Sequence, residues 1–254
     1  MSFYLTLRST AETRLSSGTN GSDFVTHFAV PLDLSSGPWE VGLAEIYLPD
    51  STSVNIRQGY GTFMVQARGG REQLGSLNAG DYTIDDLCTV FRKAVNEIVP
   101  NAVTSCKVLD VEHAVNRVVV KISPGVTLRI DDDLAWVLGY RGAGNTVTIS
   151  SRAKERAPFC YDVRGPNSLA YVYCSLMEHR RVGDTMGPLL RVTEAYDFLH
   201  VFPEPQYQKA VSGVISDARV YIKRGDKLPL DMQNLDVVCT LHFRKCRSEI
   251  YRGP

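Results

Sequence analysis

The sequence lacks the marks of a membrane protein, a secreted protein and an enzyme. No apolar run approaches the roughly 18–20 residues needed to span a membrane. The opening Met1-Ser2-Phe3-Tyr4-Leu5-Thr6-Leu7-Arg8 has neither the basic start nor the long apolar stretch of a signal peptide, which predicts a protein kept inside the cell that makes it. The cysteines number six, are scattered, and include no C-x-x-C pair, so the spacing of a zinc ribbon or a dithiol redox site is absent. Cys174 in Tyr171-Val172-Tyr173-Cys174 and Cys239 in Val237-Val238-Cys239 sit in apolar runs and read as free interior thiols. Asn20-Gly21-Ser22 matches a glycosylation acceptor, but without a secretory route it carries no consequence. There is no phosphate-binding loop, no Gly-x-Gly-x-x-Gly, no His-Glu-x-x-His and no Gly-x-Ser-x-Gly. The five histidines stand apart, without an i, i+2 or i, i+4 partner to hold a metal. Net charge is missing too: 28 Lys and Arg balance 28 Asp and Glu. A surface built to coat nucleic acid wants a basic excess, whereas a neutral one leaves little repulsion between copies.

What remains is globular. The 254 residues are 44% hydrophobic and 22% charged, ample for a sizeable core. With no internal repeat and no long linker, a single domain over 1–254 is expected, with 1–22 as a strand or an extended arm. The dominant signal is short β-type runs punctuated by Gly, Pro, Asn and Asp. In Phe3–Leu7 the residues Phe3, Leu5 and Leu7 share one face, and in the run from Trp39 so do Trp39, Val41 and Leu43. Further runs are Phe24–Leu32, Thr62–Ala67, Cys106–Val111, Val118–Ile122, Val126–Ile130, Thr146–Ile149, Ala170–Met177, Ala218–Ile222 and Val237–Phe243. Ser123-Pro124-Gly125 supplies turn chemistry between two of them. About ten strands separated by turns predict a sandwich or barrel. Two helices interrupt the pattern, over about 81–99 and 131–139. In the first, Ile84, Leu87, Phe91, Val95 and Ile98 form one apolar stripe behind a Thr83 N-cap. The second opens on Asp131-Asp132-Asp133 and closes on Gly139.

Candidate chemistry is sparse. Asp131-Asp132-Asp133 could bind a divalent cation, but adjacent carboxylates do not converge on one ion and helix capping explains them. Glu178-His179-Arg180-Arg181 and Arg244-Lys245-Cys246-Arg247 are small charge clusters. They are read as solvated strand ends, with a local nucleic-acid contact as the alternative. Arg224-Gly225-Asp226 is a possible receptor-binding triplet, because an exposed turn there would project two opposite charges; a tight turn at that point needs Gly-Asp in any case. No catalytic residue, cofactor site or metal site is assigned, and an enzyme is not expected.

Several blocks together resemble one family. They are Phe3-Tyr4-Leu5-Thr6-Leu7-Arg8-Ser9, Asp23-Phe24, Val30-Pro31-Leu32-Asp33-Leu34, Trp39 to Ile46 with Pro49, and Gly80-Asp81-Tyr82-Thr83 leading into Val95-Asn96-Glu97-Ile98. Leu134 to Tyr140, Ala170-Tyr171-Val172-Tyr173-Cys174, Val182-Gly183-Asp184, Pro188-Leu189-Leu190-Arg191, Pro205-Gln206-Tyr207 and Val237 to Arg244 complete the set. In that order they resemble the minor capsid (penton-type) proteins of Maverick/Polinton elements, adintoviruses and adomaviruses. The resemblance implies a mainly β fold, a single jelly-roll antiparallel sandwich with two short helical insertions. It implies a virion protein that forms a homopentameric ring at the fivefold vertex and contacts the major capsid protein, with a host receptor or fibre as a further partner. The alternative is a receptor- or glycan-binding jelly roll acting through Arg224-Gly225-Asp226. A hydrolase on a β scaffold finds no paired constellation to support it.

Overall fold

The computed structural model describes residues 1–10, 12–13, 21–49, 56, 59, 61–109, 116–140, 146–150, 156–195, 198–225, 227–230, 232 and 235–246. In chain order the elements are β1 (Ser2–Arg8), β2 (Asp23–Asp33), β3 (Trp39–Tyr47), β4 (Thr62–Gln66), β5 (Gln73–Ser76), α1 (Ile84–Ile98), β6 (Val103–Leu109), β7 (Arg117–Ile122), β8 (Thr127–Asp131), α2 (Asp132–Leu138) and β9 (Thr146–Ser150). They continue with β10 (Leu169–Cys174), β11 (Arg180–Val182), β12 (Thr185–Gly187), β13 (Leu189–Glu194), β14 (Leu199–Val201), β15 (Gln208–Lys209), β16 (Val214–Lys223) and β17 (Val238–Lys245). No described helix is long and apolar enough to cross a membrane.

The single domain expected from the sequence divides into two compact units, Met1–Ser51 with Asn167–Pro254, and Thr52–Pro166. Each has its own apolar cluster. In the first unit the antiparallel pairs are β1 with β17, β2 with β16, β3 with β14 and β10 with β13. Numbered along this unit, that pairs the first strand with the last and works inward, as in one long hairpin. The hairpin is rolled so that β17 also pairs with β3, and β16 with β10. Two sheets result, β1-β17-β3-β14 and β13-β10-β16-β2, the single jelly roll that the family resemblance implies. Ser2–Arg8 is a strand rather than an arm. The second unit is inserted in the connection between β3 and β10, and both helices lie in it.

Period-2 burial builds the first core. Leu7 of β1, Cys239, Leu241 and Phe243 of β17, Trp39, Val41 and Leu43 of β3, Phe24 of β2, Val172 of β10, and Val220 and Ile222 of β16 are all nearly inaccessible. Phe3 stacks on Phe243 at 4.8 Å and meets Trp39 edge-on at 5.4 Å. In β3 the inward phase shifts from Leu43 to Ile46, because the register with β17 jumps at Ala44: Leu43 pairs with Leu241 and Glu45 with Thr240.

In the second unit the sheet β5-β4-β8-β9 and the hairpin β6-β7 accompany α1 and α2. Ile84, Leu87, Phe91 and Val95 face the core as their spacing predicts, and Phe91 meets Phe63 edge-on at 5.5 Å. The Thr83 hydroxyl caps α1 by accepting from the Asp86 N–H. Gly139 ends α2 in the left-handed region at φ 79°. At the Ser123-Pro124-Gly125 turn the Val126 N–H donates to the Ser123 carbonyl, with Gly125 at φ 81°.

Candidate functional site

The candidate functional surfaces are those that the jelly roll leaves facing out. On the outer face of β1, β17 and β3, alternation places Tyr4, His242, Arg244 and Glu40 together. Tyr4 stacks on His242 at 4.5 Å. The chain between β14 and β15 crosses this face: Pro205 sits where a Gly42 side chain would be, 2.7 Å from the position of a Cβ, and brings in Tyr207. The Tyr207 hydroxyl lies 2.7 Å from His242 Nδ1, and the Arg244 guanidinium lies 3.5 Å over the Tyr207 ring. Arg244 Nε donates to Glu40 Oε2 at 2.8 Å. Burial, and then the Arg244 charge, hold the His242 pKa below its ordinary value.

The outer face of the other sheet carries an aromatic and cationic group. β10 and β16 pair Tyr171 with Lys223 and Tyr173 with Tyr221, and all four stand on the same face. The Tyr173 and Tyr221 rings stack at 4.7 Å and 4°. Burial raises the pKa of both phenols, so both keep their protons at neutral pH. Arg219 forms a two-bond pair with Asp23, at 2.9 and 2.7 Å. The β11–β12 hairpin rises beside this face and helps to enclose a cleft of about 470 Å³.

Exposed apolar side chains gather at the strand edges. β14 is an edge strand, and Phe198, Leu199 and Val201 along it are 54%, 57% and 54% exposed. Val30 of β2 and Val214 of β16, both on the other sheet, are exposed too.

The residues singled out in the sequence have different outcomes. Asp131 is the N-cap of α2: one carboxylate oxygen accepts from the Leu134 N–H at 2.7 Å and the other from the Thr62 hydroxyl at 2.9 Å. That arrangement is the helix cap rather than a cation site. Of the Arg224-Gly225-Asp226 triplet, Arg224 is 5% exposed and Asp226 lies outside the described residues. The turn itself is present, with the Lys227 N–H donating to the Arg224 carbonyl and the Arg224 N–H to Leu228. In the C-terminal charge cluster Arg244 pairs with Glu40 and Lys245 donates to the Ser36 carbonyl; in the other, Glu178 pairs with Lys209 and Arg181 Nε donates to the Gly183 carbonyl. Arg247 and Arg252 lie outside the described residues. Cys174 and Cys239 are fully buried free thiols, and burial pushes the Cys174 pKa up to about 12. Sequence reading missed Tyr207, the Tyr173–Tyr221 pair and the β14 edge. Alternation of Tyr171 and Tyr173 with Val172 and Cys174 is the signal that was there to find; three-residue β14 offers none.

No protein-family model matches the sequence, and no curated protein matches it. Among solved structures, the mavirus penton protein matches with a TM-score of 0.50 at 9% identity, over 97% of this chain and 100% of that one. A chain of the Sputnik virophage structure matches with a TM-score of 0.45 at 9% identity, over 96% of this chain and 98% of that one. The match with the mavirus penton protein shows a shared fold across nearly the whole length of this chain. At the level of fold, the resemblance read in the sequence is borne out.

Proposed function

We propose that this chain is a viral capsid structural protein of the penton type, non-enzymatic, that closes into a ring of five at an icosahedral vertex and contacts the major capsid protein. The observation that carries the reading is the end-to-end match with the mavirus penton protein, inserted unit included. A fivefold ring is a heterologous assembly and needs two different complementary surfaces on each subunit. The β14 edge on one sheet, and exposed Val30 and Val214 on the other, are the candidates for two such surfaces, and a chain with zero net charge opposes their approach little.

Light scattering on the purified protein tests this directly. The expected particle has five times the 28.2 kDa mass of the chain, and Leu199→Asp with Val201→Asp returns it to monomer without altering the circular dichroism spectrum. A strictly monomeric wild-type protein at tens of micromolar overturns the ring. A pentamer that survives both substitutions moves the contact away from β14.

A further inference from the structure

The cleft beside the β11–β12 hairpin has the composition of a binding site rather than of a packing defect. Its floor is the outward row of the β10–β16 pair, where Tyr171, Tyr173 and Lys223 line it. Met186, 64% exposed, stands on the hairpin side. Across the mouth, Lys227 Nζ lies 3.4 Å from Asp184, an exposed pair that holds little energy but bridges the hairpin to the turn after β16. The volume of about 470 Å³ falls within the range of small-ligand sites, roughly 300–1,000 Å³.

Lys223 is the informative residue. Its ammonium lies 5.7 Å from the Tyr173 ring centre and 5.5 Å from that of Tyr221. Among the described residues no carboxylate pairs with it, although neighbouring Arg219 and Lys227 both have one. An ammonium flanked by two tyrosine rings, lining a cleft and without a carboxylate partner among the described residues, is placed to receive an anion. The phenols offer hydroxyls that donate and accept, and ring surface for an apolar C–H face.

We propose that this cleft binds a carboxylate-bearing pyranose, with Lys223 taking the carboxylate and Tyr171 and Tyr173 taking the ring and its hydroxyls. A neutral sugar leaves the ammonium without its partner, and a simple anion leaves the tyrosines unused. The site lies on one subunit and does not depend on assembly into a ring.

Titration by ligand-observed NMR tests it, with 3′-sialyllactose and a glucuronic-acid disaccharide as probes, and lactose, acetate and a blocked Glu-Glu peptide as comparisons. Saturable binding of at least one acidic sugar is expected, with lactose and acetate at least tenfold weaker. Lys223→Ala is expected to weaken the acidic sugar at least tenfold, Lys223→Arg to retain most of it, and Met186→Glu, on an exposed side chain, to repel it with the fold unchanged. Absence of saturable acidic-sugar binding overturns the assignment, as does binding indifferent to Lys223→Ala. Tighter Lys223-dependent binding of the peptide than of either sugar also overturns it. None of these outcomes alters the particle mass, so this site and the ring reading fail separately.

Discussion

His242 shows how one side chain registers its surroundings. Tyr4 covers its ring from β1, Tyr207 lies 2.7 Å from Nδ1, and Arg244, two positions along its own strand and paired to Glu40 of β3, adds a positive charge. Burial first and Arg244 second disfavour the imidazolium. The group therefore binds its proton less readily folded than unfolded. Its contribution to stability is complete above the ordinary pKa of 6.5 and is lost as pH falls from there through the lower folded value. In an NMR pH titration His242 is expected to titrate below 6.5, and Arg244→Gln is expected to move it upward. A midpoint that stays put or falls in that variant removes Arg244 as a cause.

Among the elements, the broken edge strand depends most on a single position. β14 and β15 both pair with β3, and the chain between them leaves the edge to cross the outer face, which only a glycine at position 42 permits. Gly42→Ala places a Cβ 2.7 Å from Pro205 and is expected to cost about 1–3 kcal/mol by overpacking. Thermal unfolding measures the loss. The same substitution lifts Tyr207 from His242, so the His242 midpoint should rise toward 6.5; a stable variant with an unchanged midpoint would show that the segment is not held by this contact. This break also explains what the sequence shows and what it hides. β1, β2, β3, β10, β16 and β17 are long alternating runs and are legible as strands. β14 and β15 have three and two residues, divided by Pro203 and Pro205, and carry no period of their own. The helices are legible because Ile84, Leu87, Phe91 and Val95 repeat at helical spacing and because Thr83 and Gly139 mark a start and a stop. Ala44 hides the continuity of β3, since an extra residue shifts Ile46 off the phase of Leu43. The Lys223 cleft is not legible at all. It depends on the cross-strand neighbours Tyr171 and Tyr173, some fifty positions away, and on a three-residue hairpin strand pair.

The whole molecule carries two cores where its sequence shows one continuous series of strands. The boundary is faint in the sequence, because the polar run Asp50-Ser51-Thr52-Ser53 is no longer than an ordinary loop and the strands on either side of it alternate alike. Phe243→Ala and Phe91→Ala, each deleting a fully buried ring, are expected to cost about 3–5 kcal/mol in the unit that contains it. Calorimetry should then resolve two transitions, Phe243→Ala lowering one and Phe91→Ala the other. One transition lowered equally by both would show a single cooperative block. The pairing of the first strand with the last has a consequence in time. Thr6 faces Thr240 across 234 positions, and β17 lies in the middle of its sheet, between β1 and β3. On the ribosome β1 and β3 keep open edges until β17 follows them, whereas residues 52–166, contiguous in the chain, have all their strands well before β17 is made. The sheet cannot close until β17 has been made and slots between β1 and β3, so the order of synthesis itself delays the completion of this sandwich.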